Sequence, residues 1–132
     1  MTLTDDQARA HADRLLQARD TGVPIAPFTD ADPSLGMADG YAIQTHLVSS
    51  LLARGESIIG YKLGLTSRPM QELLGVDSPD FGPVFASGVF RDGAVLPVDR
   101  FIAPRIEAEI AVVLERVFMD RDVYPKIERT ED

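Results

Sequence analysis

Arg105-Ile106-Glu107-Ala108-Glu109-Ile110-Ala111-Val112-Val113-Leu114 alternates charged and apolar residues and then turns wholly apolar. Period-two alternation predicts a β-strand, in which successive side chains point to opposite faces. Ile106, Ala108, Ile110, Val112 and Leu114 would form one face and fix the register. Glu107 and Glu109 would share the other face, about 7 Å apart along the strand. Two carboxylates side by side repel each other unless a cation sits between them. A hard divalent ion suits that position because oxygen donors are its preferred ligands. The plain alternative is a solvated strand face. Ala111 and Val113 continue the carboxylate face as apolar residues, which predicts a face that becomes buried and carboxylates at a cavity mouth.

A second short apolar run lies upstream. Ile58-Ile59-Gly60-Tyr61-Lys62-Leu63-Gly64-Leu65 is punctuated by glycine and predicts another strand. Gly60, Lys62 and Gly64 share one face, so a single ammonium stands among bare backbone that a ligand can approach closely. Lys62 there either neutralises a substrate carboxylate, moves a proton if desolvation lowers its pKa, or guards a sheet edge against aggregation. Thr66 and Ser67 then lead into Arg68-Pro69, with Ser67 as N-cap and proline in the first helical turn. That helix start is either a simple cap or an anion site. Asp77 to Pro83 is rich in Asp, Pro and Gly and predicts a loop; Asp80 and Phe81 within it either cover a site or simply turn the chain. Val84-Phe85, Val89-Phe90 and Ala94-Val95-Leu96 predict short strands, with a turn at Asp92-Gly93.

The first third of the chain has a different period. Thr4-Asp5-Asp6-Gln7 fits a capping box, and Ala8, Ala12, Leu15 and Leu16 follow at helical spacing as far as Gly22. The prolines in Val23-Pro24-Ile25-Ala26-Pro27-Phe28 force an extended or turning segment. A second helix is predicted from about Ala38 to Ala53, with Ile43, Leu47 and Leu51 on one face. His11 and His46 lie on these two helices, where a lone histidine is more often a surface or packed residue than a catalytic one.

Composition narrows the function. The 132 residues suffice for one domain with a core. A net charge of -8 argues against nonspecific binding to nucleic acid or anionic membranes. The absence of cysteine excludes a disulfide framework, a thiolate metal site and a Cys nucleophile. The opening residues lack the basic and apolar regions of a signal peptide, and no apolar run approaches the roughly 20 residues of a membrane span, so a soluble cytoplasmic protein is expected.

Four blocks occur in order: Tyr41-Ala42-Ile43-Gln44, Gly60-Tyr61-Lys62-Leu63-Gly64-Leu65-Thr66-Ser67, Leu74-Gly75-Val76-Asp77-Ser78-Pro79-Asp80-Phe81-Gly82 and Pro104-Arg105-Ile106-Glu107-Ala108-Glu109-Ile110-Ala111. Together they resemble the 2-hydroxypenta-2,4-dienoate (2-keto-4-pentenoate) hydratase and 4-oxalocrotonate decarboxylase family of the fumarylacetoacetate hydrolase superfamily. The resemblance runs from about residue 5 to 115 and corresponds to the amino-terminal half of family members. The family's later Asp-Asn-Ala-Ser, Gly-His-Pro and Thr-Gly segments have no counterpart. Asp80-Phe81-Gly82 and the Arg-Ile-Glu-Ala-Glu block sit closer to the hydratases.

The resemblance implies an α+β fold with amino-terminal helices packed on part of a mixed β-barrel or roll. Residues 1–57 would be the helical part of a single truncated domain, 58–115 the start of the β core, and 116–132 a charged tail or shortened strand. It implies Mg²⁺ or Mn²⁺ held by Glu107, Glu109 and a later carboxylate, for which Glu128 is the candidate. Lys62 would be the catalytic polar group, and Leu63, Thr66, Ser67, Asp80 and Phe81 would line the substrate. The implied reaction adds water to a 2-hydroxydienoate in aromatic catabolism, giving a 4-hydroxy-2-oxo acid. A homo-oligomer or association with a full-length relative would cover the unpaired faces of half a barrel. The rival readings are a catalytically silent remnant or partner subunit, and the decarboxylase.

Overall fold

The computed structural model describes residues 3–114. The chain is α+β: α1 (Asp5–Thr21), α2 (Phe28–Ala31), α3 (Met37–Ala53), β1 (Ile58–Gly64), α4 (Arg68–Leu74) and β2 (Asp80–Phe85), with 3-10 turns at Ala86–Gly88 and Val98–Arg100.

The start of α1 follows from its capping box. The Thr4 N–H donates to Gln7 Oε1 at 2.8 Å, and the Gln7 N–H donates to Thr4 Oγ1 at 3.3 Å, so two otherwise orphaned donors are satisfied. Gly22 ends the helix with φ 68°, a conformation that penalises any residue with a Cβ.

Helices α1 and α3 lie side by side in the same direction. Leu3 meets Asp39 at their starts, and Asp20 takes two hydrogen bonds from Arg54 Nη1, at 2.9 and 2.7 Å, at their ends. The returning connection holds α2, a helical turn that the proline-rich sequence conceals, and it lays Phe28 against the helix pair. The core is built from Leu3, Ala8, Ala12 and Ile43, with Leu15, Leu35, Ala42 and Leu47 packed around it. The small alanines of α1 let the helices approach closely. The His11 ring lies 4.2 Å from that of Phe28, and Arg14 stacks on the same ring at 4.9 Å.

Asp39 is the buried acid of this layer, only 2% exposed. It sits at the third position of α3 and accepts from the Gly36 N–H at 3.0 Å and the Leu3 N–H at 2.9 Å. One carboxylate therefore caps α3 and ties down the chain just before α1.

β1 and β2 form a two-stranded antiparallel ladder, open among the described residues, with Lys62 opposite Gly82, Leu63 opposite Phe81 and Gly64 opposite Asp80. Several expectations change here. The segment from Asp80 to Pro83 belongs to β2 rather than to a loop. Its turn-forming residues are tolerated because the ladder is paired on one edge only, as proline requires. The run 105–114, the clearest strand by alternation, makes no ladder among the described residues. Ile106 and Ile110 on one face are 101% and 96% exposed and Val113 on the other is 93% exposed, so both faces, including the one expected to become buried, meet solvent. Alternation specifies which side chains share a face, whereas a strand also needs a neighbouring backbone, and none is present among these residues. Val89-Phe90 and Ala94-Val95-Leu96 likewise form no strand. Phe90 instead packs under the Arg100 guanidinium at 5.0 Å.

Candidate functional site

β1 carries the first element of the site. Its register places Gly60, Lys62 and Gly64 on one face and Tyr61 and Leu63 on the other. The Lys62 ammonium reaches across to the segment after Pro104, where it touches Glu107 Oε2 and lies 3.3 Å from Glu109 Oε1. The structure thus brings together the three side chains singled out by alternation and by the glycine-flanked face. All three are about half exposed, so the cluster is open to solvent on this chain.

The charges hold one another. Hydrogen bonding to Glu107 and then to Glu109 raises the Lys62 pKa above the ordinary lysine value. The same bond, with the Coulomb attraction of Lys62, lowers the pKa of Glu107. Of the readings left open for Lys62, the one that needs a pKa lowered by desolvation is not favoured here, because the two carboxylates favour the charged form. Lys62 is an ammonium at neutral pH, suited to anchoring an anion or donating a proton and unsuited to acting as a base.

The remaining predicted residues divide by face. Asp80 stands opposite Gly64 on the Lys62 side, with its carboxylate occupying the space that a Cβ at position 64 would need. Leu63 and Phe81 pair on the opposite face. Phe81 stacks on Tyr41 at 5.0 Å and meets Tyr61 edge-on at 6.3 Å. Phe81 thus packs toward α3 while Leu63 is 60% exposed, and both lie on the face away from Lys62.

Thr66 and Ser67 follow β1 on the turn into α4. The strand stops at Gly64 because Leu65 adopts φ 53°, a left-handed conformation costly for a branched side chain. Gln71 Nε2 donates to the Leu65 carbonyl at 2.6 Å and helps hold that turn. Ser67 occupies the N-cap position, yet its side chain makes no cap hydrogen bond. Glu128 lies outside the described residues.

Two residues of α3 position the site from behind. The Phe81 N–H donates to the Tyr41 hydroxyl at 3.3 Å, and Gln44 Nε2 donates to the Phe81 carbonyl at 3.3 Å. Both backbone polar groups of Phe81 are thereby tied to α3, which fixes β2 beside β1. Helical spacing marks only apolar positions and so passes over this polar tether.

The histidines take structural places. His46 Nε2 lies 2.9 Å from Asp5 Oδ1, and that hydrogen bond lowers the Asp5 pKa. His11 Nδ1 is buried without a hydrogen-bond partner among the described residues. Two clefts of about 390 and 430 Å³ adjoin α1 and contain none of the predicted site residues. The charges lining the first are matched internally by Arg19–Glu56 and Arg54–Asp20 ion pairs.

The donor set fits a hard divalent cation in type. Glu107 and Glu109 are carboxylates that already converge on one cation, the Lys62 ammonium. In number it is partial, since no group of three or more potential ligands forms among the described residues.

No family model matches the chain. A 2-keto-4-pentenoate hydratase from Burkholderia vietnamiensis (strain G4 / LMG 22486) is 44% identical over 115 residues, covering 86% of this chain and 44% of that protein. Another, from Paraburkholderia xenovorans (strain LB400), is 40% identical over 114 residues, covering 86% of this chain and 42% of that protein.

Over most of its length the chain is similar to the 2-keto-4-pentenoate hydratases.

It spans less than half the length of these hydratases. Among solved structures it is similar to the 4-oxalocrotonate decarboxylase from Pseudomonas putida G7 complexed with magnesium and adipate. That match has a TM-score of 0.62 and 32% identity, and it covers 65% of this chain and 33% of the decarboxylase. The structural match agrees with the α+β architecture of this chain. No helix among the described residues is long and apolar enough to cross a membrane.

Proposed function

We propose that this chain carries part of a metal-dependent hydro-lyase centre that adds water to a 2-hydroxypenta-2,4-dienoate, giving a 4-hydroxy-2-oxo acid. The observation that carries the reading is the convergence of Lys62, Glu107 and Glu109 from two separate segments of a hydratase homologue. Glu107 and Glu109 would hold the cation, Mg²⁺ or Mn²⁺, with Glu128 as the third carboxylate. The bound cation supplies positive charge beside the oxygen on which negative charge gathers during reaction. Magnesium in the related decarboxylase structure supports this choice of ion, and adipate supports a carboxylate ligand.

The chain's own residues have distinct tasks. Lys62, kept cationic by its neighbours, binds the substrate carboxylate and orients the diene. Asp80 lies on the same face, placed to receive or return a proton as the dienol becomes the conjugated ketone and then takes up water. Thr66 and Ser67 border the substrate at the end of β1. Phe81 acts from the other face, beside Leu63, holding the ladder on α3.

The hydratase is preferred to the decarboxylase because identity to the hydratases is 40–44%, against 32% for the decarboxylase structure. The full fold is proposed as a mixed β-roll in which residues 105–114 gain strand neighbours, with residues 1–57 as its helical part and 58–115 as the beginning of its β core; the charged tail or shortened strand expected at 116–132 lies outside the described residues. A homo-oligomer, or association with a full-length relative in the cytoplasm, would supply those neighbours.

The test is Mg²⁺-dependent loss of the dienoate chromophore, with the hydroxy-oxo acid identified by mass. Turnover abolished in folded Glu107→Gln and Glu109→Gln supports the reading. Release of CO₂ from an oxalocrotonate-type substrate without hydration would move the assignment to the decarboxylase. Indifference of both reactions to Mg²⁺ and to the substitutions would overturn it.

A further inference from the structure

The proposed metal centre already contains a cation of its own chain. The Lys62 ammonium touches Glu107 and lies 3.3 Å from Glu109, the position in which two converging carboxylates best stabilise positive charge. Two carboxylates and one ammonium leave a net charge of -1. A dication would neutralise the pair, but with the ammonium still in place it would face a like charge at contact distance. Repulsion between the two cations and competition for the same carboxylate oxygens favour one occupant at a time. The stem of Lys62 is free to swing, because Gly60 and Gly64 flank it on its face without side chains. Asp80, diagonally across the ladder on that face, offers the displaced ammonium a carboxylate and keeps it beside the site.

We propose that Lys62 and a divalent cation are mutually exclusive partners of Glu107 and Glu109, so that cation binding expels the ammonium from the carboxylates and frees it for the anionic substrate. The chain would thus assemble its two positive groups in order, with the lysine available only once the metal is bound. Lys62 also becomes a determinant of metal affinity, acting as an internal competitor. This inference rests on the metal-centre reading above.

Lysine-selective ¹³C labelling of the full chain gives only two side-chain signals, because Lys62 and Lys126 are its two lysines. Titration with Mg²⁺, which is diamagnetic, should move the Lys62 Cε signal saturably as the ammonium leaves Glu107 and Glu109. Calorimetry with Mg²⁺ should find Lys62→Met binding about threefold to thirtyfold more tightly than the native chain, the equivalent of two exposed ion pairs. Saturable Mg²⁺ binding with the Lys62 signal unmoved overturns the inference and leaves the metal centre standing. Equal affinity of native and folded Lys62→Met chains does the same. Absence of Mg²⁺ binding to either chain removes the metal centre, and the inference with it. The native-chain titration decides the matter even where Lys62→Met fails to fold.

Discussion

Replacing Asp39 by alanine should be among the most damaging single changes in the helical layer, although the position lies outside every sequence motif. The carboxylate is 2% exposed and accepts from the Leu3 N–H at 2.9 Å and the Gly36 N–H at 3.0 Å. Truncation strands the Leu3 N–H in a buried place, at a cost of about 1–3 kcal/mol. It also removes an acidic group from the first turn of α3, worth about 0.5–2 kcal/mol as a cap. Together the loss is about 2–4 kcal/mol, a large share of the roughly 5–15 kcal/mol that holds a domain folded. With a urea m-value of about 1–3 kcal/mol/M, the midpoint should fall by about 1–2 M. Asp39→Asn keeps one acceptor oxygen and should lose roughly half as much. Urea denaturation followed by circular dichroism measures both, and hydrogen exchange at the Leu3 amide reports the local bond. A loss below about 0.5 kcal/mol in Asp39→Ala, the level of an ordinary surface change, would refute the reasoning.

Three further outcomes follow from the same geometry. Because its pKa is lowered, Glu107 contributes stability that is present above the ordinary glutamate value of about 4.3 and is lost as pH falls through its folded value. Lys62, whose pKa is raised, contributes below about 10.4 and loses that contribution as pH rises through its folded value. A carboxyl ¹³C titration should place the Glu107 midpoint below that of free glutamate in metal-free protein, and Lys62→Met should return it to the ordinary range. His11→Phe removes a buried nitrogen without a described partner while keeping a ring against Phe28, so thermal unfolding should find it neutral or stabilised by about 1 kcal/mol. Tyr41→Phe keeps the stack on Phe81 but deletes the acceptor for its N–H. That should cost about 0.5–1.5 kcal/mol and speed hydrogen exchange at the Phe81 amide, with α1 amides unchanged.

The helical layer was readable because its signals are local. The capping box at Thr4 and the glycine after Thr21 mark α1 within a few residues, and Ile43 with Leu51 marks α3. β1 was readable up to Leu65, where a left-handed backbone that no residue type announces ends the strand. β2 was legible at Val84-Phe85, but its first four residues stayed hidden because Asp80, Gly82 and Pro83 are turn-forming residues, and its pairing depends on β1 and on the tether from α3. The run 105–114 carries a strong alternation that lacks a backbone neighbour among the described residues. Within the site, period two already put Glu107 with Glu109 and isolated Lys62 among glycines. Their meeting is a tertiary fact, as is the role of Asp39, whose partners lie three and 36 positions away.

The most direct measurement of the central claim is paramagnetic broadening by substoichiometric Mn²⁺ in the ¹⁵N spectrum of the full chain. Resonances of residues 60–64 and 105–109 should broaden first and together, and Glu107→Gln should abolish the effect. Broadening centred on the acidic start of α1 at Asp5 and Asp6, or spread evenly over the acidic surface, would contradict a metal centre at Glu107 and Glu109.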